Sequence, residues 1–230
     1  MISKTNINIL LACEESQRVC LEFRKAGFNA FSNDLLECSG GHPEWHLKMD
    51  FKKALEFKKW RLLIAFPPCT YLTVTGNKWF YHPEDSHLPV EFRRPHPRFP
   101  DRKKDREHAI TFFMALANAD VPRIAIENPV GVISGRWRKP DQIIQPYWFG
   151  DPYSKKTCLW LKNLPKLKPT NIVDAGEYIV HKSGKRTPKW YYDAAKLSRE
   201  ERSKIRSKTF KGIAEAMCSQ WGQVVEDAKL

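Results

Sequence analysis

Long apolar runs are missing from this chain: no stretch in its 230 residues approaches the roughly 18 needed to span a bilayer. The opening residues Met1 to Asn8 also lack the basic-then-apolar order of a secretion signal. A soluble, intracellular protein of the cytoplasm is therefore expected, with no membrane partner. Cysteine pairs are missing too. The six cysteines, at 13, 20, 38, 69, 158 and 218, contain no Cys-x-x-Cys, and without a secretion signal disulfides are not expected. Cys38, His42 and His46 stand four residues apart in CSGGHPEWH, but zinc wants a fourth ligand and none is nearby. No metal is expected there, and a polar Gly-rich loop is the plain reading. Internal repeats and low-complexity tracts are also absent.

Acid is the scarcer charge, with 26 Asp and Glu against 39 Lys and Arg and a net charge of +13. With 42% apolar residues, 8 Trp, 7 Tyr and 13 Phe, the chain has ample surface to bury, which excludes disorder as its default state. One domain with a real core and a small appendage fits the length. The positive charge is concentrated. Arg93 to Arg106 holds seven basic residues and two acids, and Lys182 to Lys211 holds eleven and three, while the rest of the chain is neutral. The first stretch is interleaved with Pro, His and Phe and the second with Trp190, Tyr191 and Tyr192, which suits a polyanion such as nucleic acid. Two solvated loops are the alternative.

Strands and helices alternate along the first half. Residues 6–12 (NINILLA), 28–33 and 62–66 (LLIAF) are short apolar runs of the kind buried on both faces of a sheet. Residues 16–26 read as a helix ended by Gly27. Residues 105–120 carry Ile110, Phe113, Met114 and Ala117 at helical spacing and lead to a strand at 123–126. Residues 157–161 (TCLWL) predict one more strand, and Phe210, Ile213, Ala214, Met217 and Trp221 a last helix. The pattern predicts an α/β fold with a mostly parallel sheet and helices on both faces. The expected core covers 1–162 and 208–230, interrupted by a small basic insertion at 163–207.

In such sheets ligands sit beyond the carboxyl ends of the strands. The sequence puts Cys13 and Glu14 after the first run, Asp34 after the second, Pro67, Pro68 and Cys69 after the third, and Glu127 and Asn128 after the fourth. An acid after the second strand commonly takes a ribose hydroxyl pair. A cysteine on a rigid Pro-Pro turn is held where a substrate can meet it, so Cys69 reads as a nucleophile, with an inert packing cysteine as the alternative. Asp34 and Asp50 could equally be solvated turn acids.

PPCT after an apolar strand, followed by IENP at the end of a later one, resembles the signatures of DNA cytosine-5 methyltransferases. SNDL at 32–35, MDF at 49–51 and the last helix from Gly212 follow in the family's order. The wording from CSGGHPEW through QIIQPYWFGDP and KTCLWL is similar to compact phage and prophage members, whose setting would be the cytoplasm of a bacterial host. The resemblance implies a Rossmann-like fold, S-adenosylmethionine as cofactor and DNA as partner, in a chain expected to be monomeric. It makes Cys69 the covalent nucleophile, Glu127 the acid at the base edge and Asn128 the brace of the Pro67 to Cys69 turn. It assigns Cys13, Glu14, Asp34, Asp50 and Pro67 to the cofactor, Asp34 on the ribose and Asp50 on the adenine. For DNA, Arg93, Arg94 and Arg98 would lie on a loop closing over an extruded base, with Lys155 and Lys156 beside the site. Lys185, Arg186 and Lys189 would anchor the backbone.

Three positions depart from the family pattern. The first strand ends in ACEES without the usual glycines, Lys155, Lys156 and Thr157 stand where an Arg-x-Arg motif is expected, and Ile213 and Ala214 replace a polar Asn. The insertion is also shorter than in sequence-specific relatives. A nucleic-acid-binding homologue without turnover, or a methyltransferase acting on RNA or on a free cytidine nucleotide, are the competing readings.

Overall fold

The computed structural model describes residues 3–227, with the backbone alone at Arg199. The ends of the expected core, residues 1–2 and 228–230, lie outside the described residues. The chain opens with β1 (Asn8–Ala12), α1 (Arg18–Lys25), β2 (Asn29–Asp34), β3 (His46–Lys48), α2 (Phe51–Phe57) and β4 (Leu62–Ala65). An irregular stretch leads to α3 (Arg102–Ala117), β5 (Ile124–Pro129), the short α4 (Ile133–Arg136), β6 (Gln142–Ile144) and β7 (Thr157–Lys162). β8 (Tyr178–Val180), β9 (Arg186–Pro188), α5 (Lys189–Ala194) and α6 (Arg199–Ser207) follow. The last helical segment is α7 (Lys211–Ala216), a π turn over Met217–Trp221 and α8 (Gly222–Asp227).

Seven strands form one sheet in the order β3-β2-β1-β4-β5-β7-β6. The first five run parallel, and β7 lies antiparallel to both its neighbours. This is the expected Rossmann-like α/β sheet, in which the strand order reverses between β1 and β4 and opens a crevice outside their carboxyl ends. Strand pleat explains why both faces are apolar. Ile9, Leu11, Leu62 and Ile64 point to one face and pack under α1, α7, the π turn and α8 through Val19, Phe23, Ile213, Met217 and Trp221. Leu10, Ala12, Leu63 and Ala65 point to the other, where Phe51, Phe113 and Leu116 of α2 and α3 cover them. α7 needs Gly212 for its close approach, because a Cβ there would meet the Phe149 carbonyl oxygen at 1.7 Å.

Residues 163–207 contain a separate two-stranded sheet, β8 with β9, followed by α5 and α6. Trp190 joins this part to the core, with its ring 5.7 Å from Phe210 and 6.1 Å from Tyr153 and its indole N–H on the Ser154 carbonyl. No helix among the described residues is long and apolar enough to cross a membrane.

Candidate active site

Strand register fixes which side chains meet. Asn33, Ala12, Ala65 and Ile126 sit side by side across β2, β1, β4 and β5. One step further on, Asp34, Cys13, Phe66 and Glu127 share the carboxyl edge. The expected cofactor, nucleophile and acid positions therefore lie along one rim.

At the β1 end the missing glycines have a conformational answer. Cys13 and Gln17 both adopt left-handed backbone, with φ of 59° and 54°. Such a conformation costs roughly 1–2 kcal/mol for a residue with a Cβ and persists only where its surroundings hold it. Gln17 is fully buried and well held: its Nε2 donates to the His42 carbonyl at 2.8 Å and to Ser32 Oγ at 3.1 Å, and its Oε1 accepts from the His42 amide. Glu14 is buried and accepts from the Val19 and Cys20 amides at the start of α1. Burial pushes its carboxyl up to about 8, against the pull of those two donors. This side chain caps a helix from inside the core, whereas the resemblance assigned it to the cofactor. The Cys13 thiol is pushed up to about 12, first by burial and then by the charges of Asp34 and Asp50.

Both acids face the same corner as Cys13. Asp34 Oδ1 accepts the Leu36 amide at 3.0 Å and Asp50 Oδ1 accepts the Lys52 amide at 2.8 Å, capping α2. Among the described residues neither second carboxylate oxygen has a hydrogen-bond partner, so a ribose hydroxyl or an exocyclic amine could be taken there. Asn33, unremarked in the sequence beside Asp34, is buried and donates to the Leu47 and Met49 carbonyls, fixing the turn that presents Asp50. The candidate zinc ligands do not converge: His42 stacks on Trp45 and bonds Glu44, while His46 bonds Ser32 Oγ and the Leu36 carbonyl. No cluster of three His, Cys, Asp or Glu side chains suited to a metal occurs among the described residues.

The β4 strand continues one residue past its end, Phe66 donating to the Ala12 carbonyl, before Pro67 and Pro68 turn the chain. Cys69 follows, exposed, with its carbonyl accepting the Leu72 and Thr73 amides. Buried Asn128 on β5 donates from Nδ2 to the Pro67 carbonyl at 2.8 Å and so ties β5 to the turn before Cys69. Its Oδ1 is buried with no hydrogen-bond partner among the described residues.

Glu127 is half-buried, and burial raises its carboxyl above the ordinary range while the Lys155 ammonium opposes the rise. Crowding by the protein and the Glu127 charge raise the Cys69 thiol, and Lys155 again opposes. Lys155 thus sits close enough to act on both, with its Nζ held by the Arg206 carbonyl at 3.0 Å. Lys156 is exposed. Thr157, Thr209, Phe210 and Ile213 complete a cleft beside Glu127 and Lys155 of about 10 Å³, room for one water. Thr209 was not singled out from the sequence and Phe210 was read only as part of the last helix, because nothing in their spacing links them to β5.

The stretch after Cys69 is built from short 3₁₀ turns and rings. Trp79, His96 and Phe99 pack edge to face, and Asp85 holds Arg94 at 2.6 Å. That guanidinium drives the Asp85 carboxyl far down. Arg93 donates to the Ser86 and Leu88 carbonyls. Of the three arginines expected to face DNA, two are thus committed within the loop. Arg98 keeps a guanidinium with no hydrogen-bonded partner among the described residues, 5.7 Å from the Phe99 ring.

Two unexpected arginines on α3 hold the segment that follows the nucleophile. Buried Arg102 donates to the Thr70 and Gly76 carbonyls, enclosed by Tyr71, Phe80 and Phe99. Arg106, one turn on, donates to the Tyr71 and Thr73 carbonyls and to Asn77 Oδ1. Gly76 makes room, since a Cβ there would lie 2.3 Å from Arg102 Nη2. In the basic insertion, Lys189 is bonded to Glu177, Arg186 lies over Tyr178, and Lys185 is exposed on the turn between β8 and β9.

Compared with models of known protein families the chain matches none, and no curated protein is similar to it. Among solved structures it is similar to that of an E. coli prophage-encoded protein provisionally named as a DNA modification methyltransferase. That likeness covers 87% of this chain and 69% of that one, at 12% identity and a TM-score of 0.41. The functional reading rests instead on the rim itself.

Proposed function

We propose that the chain is an S-adenosylmethionine-dependent DNA cytosine-5 methyltransferase acting through a covalent Cys69 adduct. The observation that carries this reading is the pairing of an exposed cysteine on a Pro-Pro turn with Glu127 on the next strand, whose carboxyl burial raises above its ordinary range, tied by the bond from Asn128 to Pro67.

The residues divide the work as the chemistry requires. The Cys69 sulfur, as thiolate, adds to cytosine carbon 6 and pushes the ring electrons toward carbon 5. Glu127, whose proton affinity burial raises, presents a proton to ring N3 and neutralises the charge that builds there. Lys155 steadies the thiolate as it forms. Cys13, Asp34, Asp50 and Pro67 would hold S-adenosylmethionine, which would supply the methyl group. Loss of the carbon-5 proton to a base then restores the double bond as the sulfur leaves. The target must leave its stack to reach Cys69. We assign 163–207 to contact with the DNA backbone, with Lys185, Arg186 and Lys189 as its cations.

A nucleic-acid-binding protein without turnover is the second reading, favoured by the upward shift of the Cys69 thiol, which makes the nucleophilic thiolate harder to form. One experiment separates the two. Incubation with labelled S-adenosylmethionine and DNA, followed by nucleoside mass spectrometry, is expected to yield 5-methylcytosine. Label in RNA or free cytidine nucleotide alone moves the substrate, and no label on any of them leaves the binding reading.

A further inference from the structure

Between the loop after Cys69 and α3 lies a groove of about 570 Å³, in the size range of nucleotide-binding clefts. Phe80 and Tyr81 line its loop side, and Lys103, Lys104, Arg106 and Arg136 supply four cations against the single carboxylate of Glu107. That carboxylate is already taken by Arg136 at 2.5 Å. Lys104 is exposed and has no partner among the described residues, and Lys103 has only the Tyr81 ring, 4.8 Å away. Arg106 stacks 4.1 Å from the Phe80 ring. Cations left unneutralised beside aromatic rings form the arrangement that follows a nucleic-acid backbone and gives its bases a face to rest on. An acidic protein segment would find the cations but have little use for the rings.

We infer that this groove seats the phosphodiester backbone of the strand carrying the target nucleotide. The inference rests on the nucleic-acid reading above and moves the contact from Arg93 and Arg94, which are committed within the loop, to Lys103 and Lys104. Location supports it. Arg106 lines the groove and also donates to the Tyr71 and Thr73 carbonyls, two and four residues after Cys69. Thr73 is at most about 14 Å of extended chain from the nucleophile. Filling the groove therefore places neighbouring nucleotides beside the segment that holds Cys69.

The test is anisotropy of a short fluorescein-labelled DNA oligonucleotide, single-stranded and annealed, titrated across a salt series with the full chain. Lys103→Ala/Lys104→Ala is compared with wild type and with Lys52→Ala/Lys53→Ala, which removes the same charge from exposed positions on α2. The groove double variant is expected to lower the salt slope by roughly 0.7 per lost contact on a single strand and 0.9 on a duplex. At 0.1 M salt that is a loss of about 25-fold and 60-fold respectively for two contacts. The α2 variant should stay near wild type. If the groove variant matches the α2 variant while wild type binds DNA, the groove does not touch the strand and the inference falls with the nucleic-acid reading intact. If wild type binds neither oligonucleotide at low salt, both fall together.

Discussion

The Glu127 charge raises the proton affinity of the Cys69 thiol across a crowded rim, and burial raises that of both groups. Lys155 acts in the opposite sense on both. Replacing Glu127 with Gln removes a negative charge, so the pH at which Cys69 becomes reactive should move down, and Lys155→Met should move it up. Alkylation by iodoacetamide, followed at the Cys69 peptide by mass spectrometry across pH, measures both shifts. Equal midpoints in all three proteins would mean the groups do not interact. Glu127→Gln should also lower kcat by about 10²- to 10⁴-fold if the carboxyl delivers a proton. Glu14 leads to a different expectation. Its carboxyl has a folded value of about 8 against an ordinary 4.5, so its contribution to stability is present below about pH 4.5 and is lost as pH rises to 8. The Tm of Glu14→Gln relative to wild type should therefore climb by roughly 10 °C between pH 5 and pH 8.5 in thermal melts. A constant difference would place the carboxylate in a solvated setting. The exposed turn at Cys69 could be read from the sequence because two prolines after an apolar run end a strand and turn the chain. The capping role of Glu14 could not, since its partners are backbone amides that carry no residue identity.

Elements were legible in proportion to how much of their burial is written in apolar side chains. β1 and β4 stand out as runs because both faces are covered. Sequence bounds for the strands and long helices differ from the observed ones by at most three residues, which is the fraying expected at element ends. β3 is only His46 to Lys48, carries one apolar residue and owes its place to backbone pairing with β2, so nothing marks it in advance. The antiparallel direction of β7 depends on how the chain between residues 129 and 157 turns back, which periodicity does not encode. After β1 the absence of glycine pointed to an altered turn, yet Cys13 and Gln17 take left-handed backbone themselves, held by the three hydrogen bonds of Gln17. Residues 79–106 lack a period because 3₁₀ turns, an aromatic cluster and arginine-to-carbonyl bonds order them instead. The α3 clamp carries a prediction. Arg106→Lys keeps the charge but not the fork, so it should slow single-turnover transfer by about 10- to 100-fold while DNA affinity and Tm stay close to wild type. An unchanged rate would make the clamp dispensable for positioning Cys69.

At the scale of the whole molecule, a parallel sheet gathers four strand ends onto one rim, and excess positive charge is distributed on either side of it. The net charge of +13 arises from the loop and α3 on one side and the insertion on the other. Composition revealed the two basic segments. It did not reveal which of their side chains face outward, because Arg93, Arg94 and Lys189 spend their donors inside the protein and Lys103, Lys104 and Lys185 do not. The account as a whole turns on a covalent bond between Cys69 and cytosine. DNA containing 5-fluorocytosine blocks release, because fluorine cannot leave carbon 5 as a proton does. Incubated with such DNA and S-adenosylmethionine, then denatured, the wild-type chain should run as a stable protein–DNA species whose mass shift maps to the Cys69 peptide, and Cys69→Ala should bind the same DNA without forming it. A cross-link at another residue, or none at all from a chain that binds both ligands, would contradict the account.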